Sequence, residues 1–94
     1  MKDENELRIC REALQTYGAE SQTLMLFEEM SELQKELCKK ARGKKNKLEI
    51  AEEIADVQIM LEQMIMLHDC ELAVAEFRRA KLKRLEENLK HACT

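Results

Sequence analysis

The stretch AEEIADVQIMLEQM, residues 51–64, combines a strongly apolar helix pattern with embedded acidic side chains. Its large apolar residues recur at the three- and four-residue spacing of one α-helix face. Glu53 and Asp56 fall on the shoulder of that face, whereas solubility alone would place them opposite to it. The stretch FEEMSELQKEL, residues 27–37, repeats this arrangement. The two segments predict a helix pair that decides the fold and carries acids at its edge.

The composition of the chain predicts an all-α fold. Its 94 residues suffice for one domain, residues 1–94, near the lower size limit for an adequate core. Hydrophobic residues make up 45% and charged residues 37%, while the chain has no proline and only two glycines. So few turn-forming residues exclude a sandwich or barrel and are typical of long helices. We expect a single domain that resembles a four-helix bundle.

Periodicity and helix-breaking residues divide the chain into four predicted helices. Gly18 ends the first helix, and the basic stretch KKARGKKNK, residues 39–47, separates the second from the third. The third and fourth helices meet at residues 68–71, where the sequence fits either a turn or a kink. The predicted helices cover residues 3–17, 20–41, 48–68 and 71–91.

The second and third predicted helices each carry one apolar packing arc. Beside each arc two acids lie three residues apart, so their carboxylates point the same way. If the arcs pack antiparallel, four carboxylates meet at one edge of the interface: Glu29, Glu32, Glu53 and Asp56. The predicted arcs contain Leu26, Met30, Leu33, Leu37 and Ala41 in the second helix, and Ile50, Ile54, Val57, Leu61, Met64 and Ile65 in the third.

Carboxylates gathered beside an apolar core need a counter-charge, because they repel one another and resist desolvation. Ligands that are all oxygen suit a hard divalent ion, Mg²⁺ with Mn²⁺ as the alternative. A di-iron site is disfavoured, since it uses Glu-x-x-His pairs and neither His68 nor His91 follows a glutamate by three residues. The competing interpretation is that these acids are ordinary solvated flanks of two helices.

Several classes of function are disfavoured by charge and hydropathy. The net charge of −3 gives no indication of nucleic acid or of a membrane surface as a partner. No apolar run reaches the roughly 18 residues of a spanning helix, and the N-terminus shows no secretory signal, so we expect a cytoplasmic protein. We also expect reduced, mostly buried thiols at the four widely separated cysteines, Cys10, Cys38, Cys70 and Cys93. Phe27 and Phe77 are expected in the core, and His68 in the core or an interface.

The order of the acidic motifs resembles the MazG-like family of all-α nucleoside triphosphate pyrophosphohydrolases. The resemblance lies in EMSE, residues 29–32, followed by a basic loop and then by EIAD, residues 53–56, within the longer EEIADVQIMLEQM. The stretch AKLKRLEENL, residues 80–89, is similar to a Lys- and Arg-containing segment of that family. The resemblance covers residues 20–89, and the extra helices or second domain of larger family members have no counterpart here.

The resemblance implies hydrolysis of a nucleoside triphosphate between its α and β phosphates. By carry-over, Glu29, Glu32, Glu53 and Asp56 would hold Mg²⁺ and form the catalytic set. Because a triphosphate adds negative charge to this acidic site, nearby cations should assist. The candidates for binding substrate are Lys45 in the loop, with its neighbours Lys44 and Lys47, and Lys81 with Arg84 on the last helix; the alternative for each is a solvated surface.

A second apolar stripe on the third helix predicts an oligomer. Ala51, Ala55, Ile59 and Met66 lie nearly opposite its main arc, and a helix that is apolar on two sides must be buried on two sides. The resemblance likewise implies a homodimer or homotetramer. Two other functional classes stay open: a helical interaction or regulatory module without turnover on the same scaffold, and a coiled-coil adaptor with no site.

Overall fold

The protein is described by a computed structural model covering residues 3–92, and within that range it is all-helical. Each predicted helix is confirmed, with boundaries that differ by no more than one residue from the sequence-based expectation. The helices are α1 (Glu4–Tyr17), α2 (Ala19–Ala41), α3 (Lys47–Leu67) and α4 (Glu71–Ala92). None of them is long and apolar enough to cross a membrane.

Specific capping interactions fix the ends of the helices. The Asp3 carboxylate accepts a 2.8 Å hydrogen bond from the backbone N–H of Glu6 and so begins α1. α2 ends where Gly43 adopts φ +97°, a conformation that favours glycine. α3 ends in the same way at Asp69, with φ +50°, and the backbone N–H of Cys70 bonds back to the Ile65 carbonyl. The junction between α3 and α4 is therefore a turn and not a kink.

The α2–α3 pair is the main packing interface, and the two helices run antiparallel. Near one end the Gln22 side chain donates a 2.7 Å hydrogen bond to the Gln63 side chain, and both are buried. Near the other end, Asn46 at the start of α3 bonds to Glu36 of α2. α1 packs against both α2 and α3. The buried apolar side chains are Cys10, Leu26 and Met60.

The buried face of the helix pair is rotated from the predicted arcs. Leu26 and Leu33 face inward as expected, but Met30 and Leu37 stay 42% and 48% exposed. On α3, likewise, Ile54 and Leu61 of the predicted arc are exposed. The buried face of the pair instead contains the Gln22–Gln63 amides near one end and half-buried acids further along the helices. The expectation that these four apolar side chains are packed was wrong for the single chain, because the α2–α3 contact is narrower than the apolar surface of either helix.

Four further positions correct the sequence-based expectation of burial. Phe27 and Phe77 are 57% and 65% exposed and not in the core. His68 follows the last residue of α3 and is also exposed. Of the cysteines, Cys10 is buried and Cys70 half-buried, but Cys38 is exposed. Cys93 lies outside the described residues.

α4 extends away from the other helices. Within residues 3–92 it contacts α3 but neither α1 nor α2, and none of its own residues is buried. The radius of gyration is 16.5 Å, against about 12 Å expected for a compact chain of this length. One chain therefore presents a three-helix unit, α1 to α3, and a helical arm.

Candidate metal centre

The α2–α3 interface brings three carboxylates together. Glu29 of α2 and Glu53 and Asp56 of α3 each offer an oxygen, and these oxygens lie within 4.8 Å of one another. All three residues are half-buried. Such spacing allows one cation to contact all three side chains. We call these residues the acidic trio.

Helix register explains why the acidic trio forms. Gln22 and Gln63 define one layer of the antiparallel pair through their hydrogen bond. Glu29 lies seven residues further along α2 and Asp56 seven residues back along α3, which is about two helical turns in each case. The two acids therefore face each other. Glu53 joins them because it lies three residues, less than one turn, before Asp56.

Two carboxyl groups of the acidic trio have raised pKa values, so their negatively charged forms are disfavoured. The pKa of Glu29 is raised above its ordinary value of 4.5, first by burial and then by a hydrogen bond with Asp56 and by neighbouring negative charges. Burial likewise raises the pKa of Glu53, followed by the charges of Asp56 and Glu32. Both carboxyls hold their protons more tightly than exposed acids do, because their ionised forms lack a counter-charge.

One oxygen of the acidic trio is buried without a partner. Glu53 Oε2 has no hydrogen-bond donor within the described part of the chain. An ionised carboxylate oxygen in this position is costly unless a donor or a cation compensates it. The donor set fits a hard divalent cation, since every available ligand is a carboxylate oxygen.

Glu32 stands apart from the other predicted ligands. Its side chain is exposed, and its oxygens are not part of the group within 4.8 Å. Its charge nevertheless contributes to the raised pKa values of Glu29 and Glu53. Glu32 therefore lies at the solvent side of the acidic trio.

Sequence reasoning missed Glu36 and Asn46, which extend the polar part of the interface. Asn46 is 2% exposed, and its Nδ2 donates 2.9 Å hydrogen bonds to Glu36 Oε1 and to the Glu36 carbonyl. The bond from Asn46 lowers the pKa of Glu36, and Lys39 assists at 3.0 Å. Glu36 lies one helical turn after Glu32 and continues the row of acids that Glu29 and Glu32 begin. This spacing could have indicated Glu36 from the sequence. Nothing in the helix periodicity of the sequence indicates its bond with Asn46.

The predicted phosphate-binding cations lie in two different places. Lys45 is exposed in the loop directly before Asn46, at the Glu36 end of the interface. Lys81 and Arg84 are exposed on α4, which does not contact α2 in the described chain. Within the described chain, the loop lies at the Glu36 end of the interface, and Lys81 and Arg84 do not pack against α2.

The raised pKa values predict how pH changes stability in the absence of divalent cations. Glu29 and Glu53 stabilise the fold fully below their unfolded pKa near 4.5, and this contribution is lost as pH rises through their higher folded values. A Glu29→Gln/Glu53→Gln variant should therefore gain stability relative to the parent as pH rises from about 5 to 8. Urea unfolding across this range measures the difference.

Mg²⁺ should shrink that gain, because a cation stabilises the ionised acids of the parent. Glu28→Gln, an exposed neighbour on α2, is the matched control and should follow the parent at each pH. If the stabilities of the double variant and the parent changed with pH in parallel, ionisation within the acidic trio would not destabilise the fold.

Comparisons with protein-family models, with curated proteins and with solved structures find no match to this chain.

Proposed function

We propose that the protein is a Mg²⁺-dependent pyrophosphohydrolase that cleaves a nucleoside triphosphate to the monophosphate and pyrophosphate. The observation that carries this proposal is the acidic trio with its unpartnered buried oxygen on Glu53. The order of EMSE and EIAD, which resembles that of MazG-like enzymes, supplies the reaction. In this proposal the protein acts in the cytoplasm on free nucleotide.

The residues of this chain would have different roles in the proposed hydrolysis. Glu29, Glu53 and Asp56 would hold the cation, and Glu32 lies beside them towards solvent. A Mg²⁺ ion held there would supply positive charge for the phosphate oxygens. A water oxygen bonds to the α phosphorus, the bond from that phosphorus to the α–β bridging oxygen breaks, and pyrophosphate leaves. A nearby carboxylate would accept the proton of the water.

Charge balance supports a contribution from lysines and arginine. A triphosphate brings roughly four negative charges to an already acidic site, and unit charges about 4 Å apart interact strongly at reduced dielectric. In this proposal Lys45 would assist from the loop. Lys81 and Arg84 of α4 would assist from a second copy, so the proposal includes a homodimer or homotetramer. The exposed Ile59, Ala51 and Ala55 on α3 support this part of it.

A helical interaction module without turnover is the second candidate. It is favoured by the many exposed apolar side chains, including Leu24, Met30 and Leu37 on α2. This candidate predicts binding of a partner but no release of pyrophosphate. It gives the acidic trio no chemical role, so substitutions there would leave partner binding unchanged.

A pyrophosphate-release assay separates the two candidates. The full chain is incubated with each common ribo- and deoxynucleoside triphosphate, with Mg²⁺, with Mn²⁺ and with a chelator. We expect release that depends on the divalent ion for at least one nucleotide. Mg²⁺ alone should also raise the midpoint of thermal unfolding, because it binds the folded state preferentially. Absence of both effects would remove the proposed enzyme.

A further inference from the structure

α4 is an amphipathic helix whose apolar face is left exposed by residues 3–92. Leu82, Leu85 and Leu89 are each more than half exposed, and Val74 is 37% exposed. Within the described chain, α4 contacts only α3. A helix with an apolar stripe gains stability by burying it, so an unpaired stripe of this kind marks a contact surface.

The spacing of that stripe specifies the kind of contact. Ala75, Arg78, Leu82, Leu85, Leu89 and Ala92 follow one another at alternating intervals of three and four residues. This is the spacing of the a and d positions of a coiled coil, over about two and a half heptads. The flanking e and g positions carry Arg79, Glu86, Lys81 and Asn88. The stripe therefore fits another helix and not a flat surface.

We propose that α4 docks onto α4 of a second copy as an antiparallel two-stranded coiled coil. In this register Leu82 lies opposite the partner's Leu85, Arg78 opposite the partner's Leu89, and Ala75 opposite the partner's Ala92. Every a and d position from Ala75 to Ala92 then has a counterpart. The pairing is isologous and closes after two chains.

Charge complementarity supports a second copy as the occupant. In the antiparallel register Arg79 lies beside the partner's Glu86, and symmetry repeats the pair. Lys81 lies beside the partner's Asn88, which is neutral. The flanks of the stripe thus contain two opposite-charge pairs and no like-charge pair, as expected when a helix is complementary to itself.

Arg78 decides between antiparallel and parallel pairing. In a parallel pair the two Arg78 residues would meet in one core layer, where like charges repel and resist desolvation. In the antiparallel pair each Arg78 meets a leucine, against which its aliphatic stem can pack while the guanidinium reaches solvent. A parallel pair would also have complementary flanks, Lys81 with the partner's Glu86, so Arg78 provides the distinguishing argument.

The first test is the association of the full chain, measured by sedimentation from about 1 to 100 µM. Leu85→Glu places a charge in the central layer and should weaken association at least about a hundredfold. Because Leu85 is exposed in the single chain, helicity should be retained. Phe77→Glu changes an apolar side chain outside the stripe that is more exposed than Leu85, and it should leave association unchanged. A monomeric parent, or a Leu85→Glu variant that associates like the parent, overturns the proposal.

Charge exchange tests the direction of pairing at low salt, where exposed ion pairs are screened least. Glu86→Arg should weaken association about tenfold, and adding Arg79→Glu should restore it. The control Glu87→Arg lies outside the flanks and should have no effect. Restoration by Lys81→Glu in place of Arg79→Glu would establish parallel pairing and overturn the antiparallel register. These measurements use mass and not activity, so their outcome does not depend on whether the chain releases pyrophosphate.

Discussion

Replacing Glu53 with glutamine should lower the rate of pyrophosphate release by about 10²–10³-fold or more while leaving the helices intact. The substitution removes one negative ligand and leaves the shape of the side chain nearly unchanged. Asp56→Asn should have an effect of similar size, because Asp56 shares the acidic trio. Initial rates at saturating Mg²⁺, with circular dichroism as a check on helicity, measure the loss.

Substitution of a neighbouring acid should lower the rate of pyrophosphate release less when that acid lies outside the acidic trio. Glu32→Gln should cost less than Glu53→Gln, because Glu32 is exposed and outside the 4.8 Å group. Glu28→Gln is the control on α2 and should retain the parental rate. Mg²⁺ should raise the unfolding midpoint of the parent and of Glu28→Gln, but not that of Glu53→Gln. If release survives in both Glu53→Gln and Asp56→Asn, the proposed mechanism is wrong.

Replacing Gln63 with methionine should destabilise the fold by about 1–3 kcal/mol. The change keeps the length of the side chain but leaves the buried Gln22 amide without the acceptor that it contacts at 2.7 Å. Gln22→Met should cost a similar amount for the complementary reason. The Gln22→Met/Gln63→Met double variant should recover most of the loss, since no polar group is then left unpaired. Midpoints of urea unfolding at one protein concentration give the four stabilities.

The double-mutant cycle isolates the coupling between the two amides. Gln34→Met, at an exposed position of α2, controls for a general effect of methionine on the helix and should change stability little. Strict additivity of the two single substitutions would contradict the view that the buried pair acts as a unit.

Much of the local structure was predictable from the sequence. Gly18 and the basic stretch around Gly43 interrupt otherwise continuous helix-forming segments, so the helix boundaries follow from local preferences. The meeting of Glu29 with Glu53 and Asp56 was predictable as well, because antiparallel packing with three-residue spacing brings these acids together.

The rotation of the α2–α3 interface was not predictable in the same way. Apolar residues such as Met30 and Leu61 widen the hydrophobic surface on each helix, and periodicity alone does not say which part faces the partner helix. The buried Gln22–Gln63 pair selects one rotation, but glutamines read as surface residues in a sequence. The bond between Asn46 and Glu36 spans the turn between α2 and α3, and helix periodicity does not indicate it.

The turn between α3 and α4 has a consequence for how assemblies of this chain could diversify. Asp69 holds a left-handed backbone conformation, φ +50°, which aspartate tolerates better than most residues. Substitutions or insertions in this short turn would change the direction of α4 without altering any residue of the acidic trio. The direction of α4 could therefore change during evolution while the acidic trio stays the same.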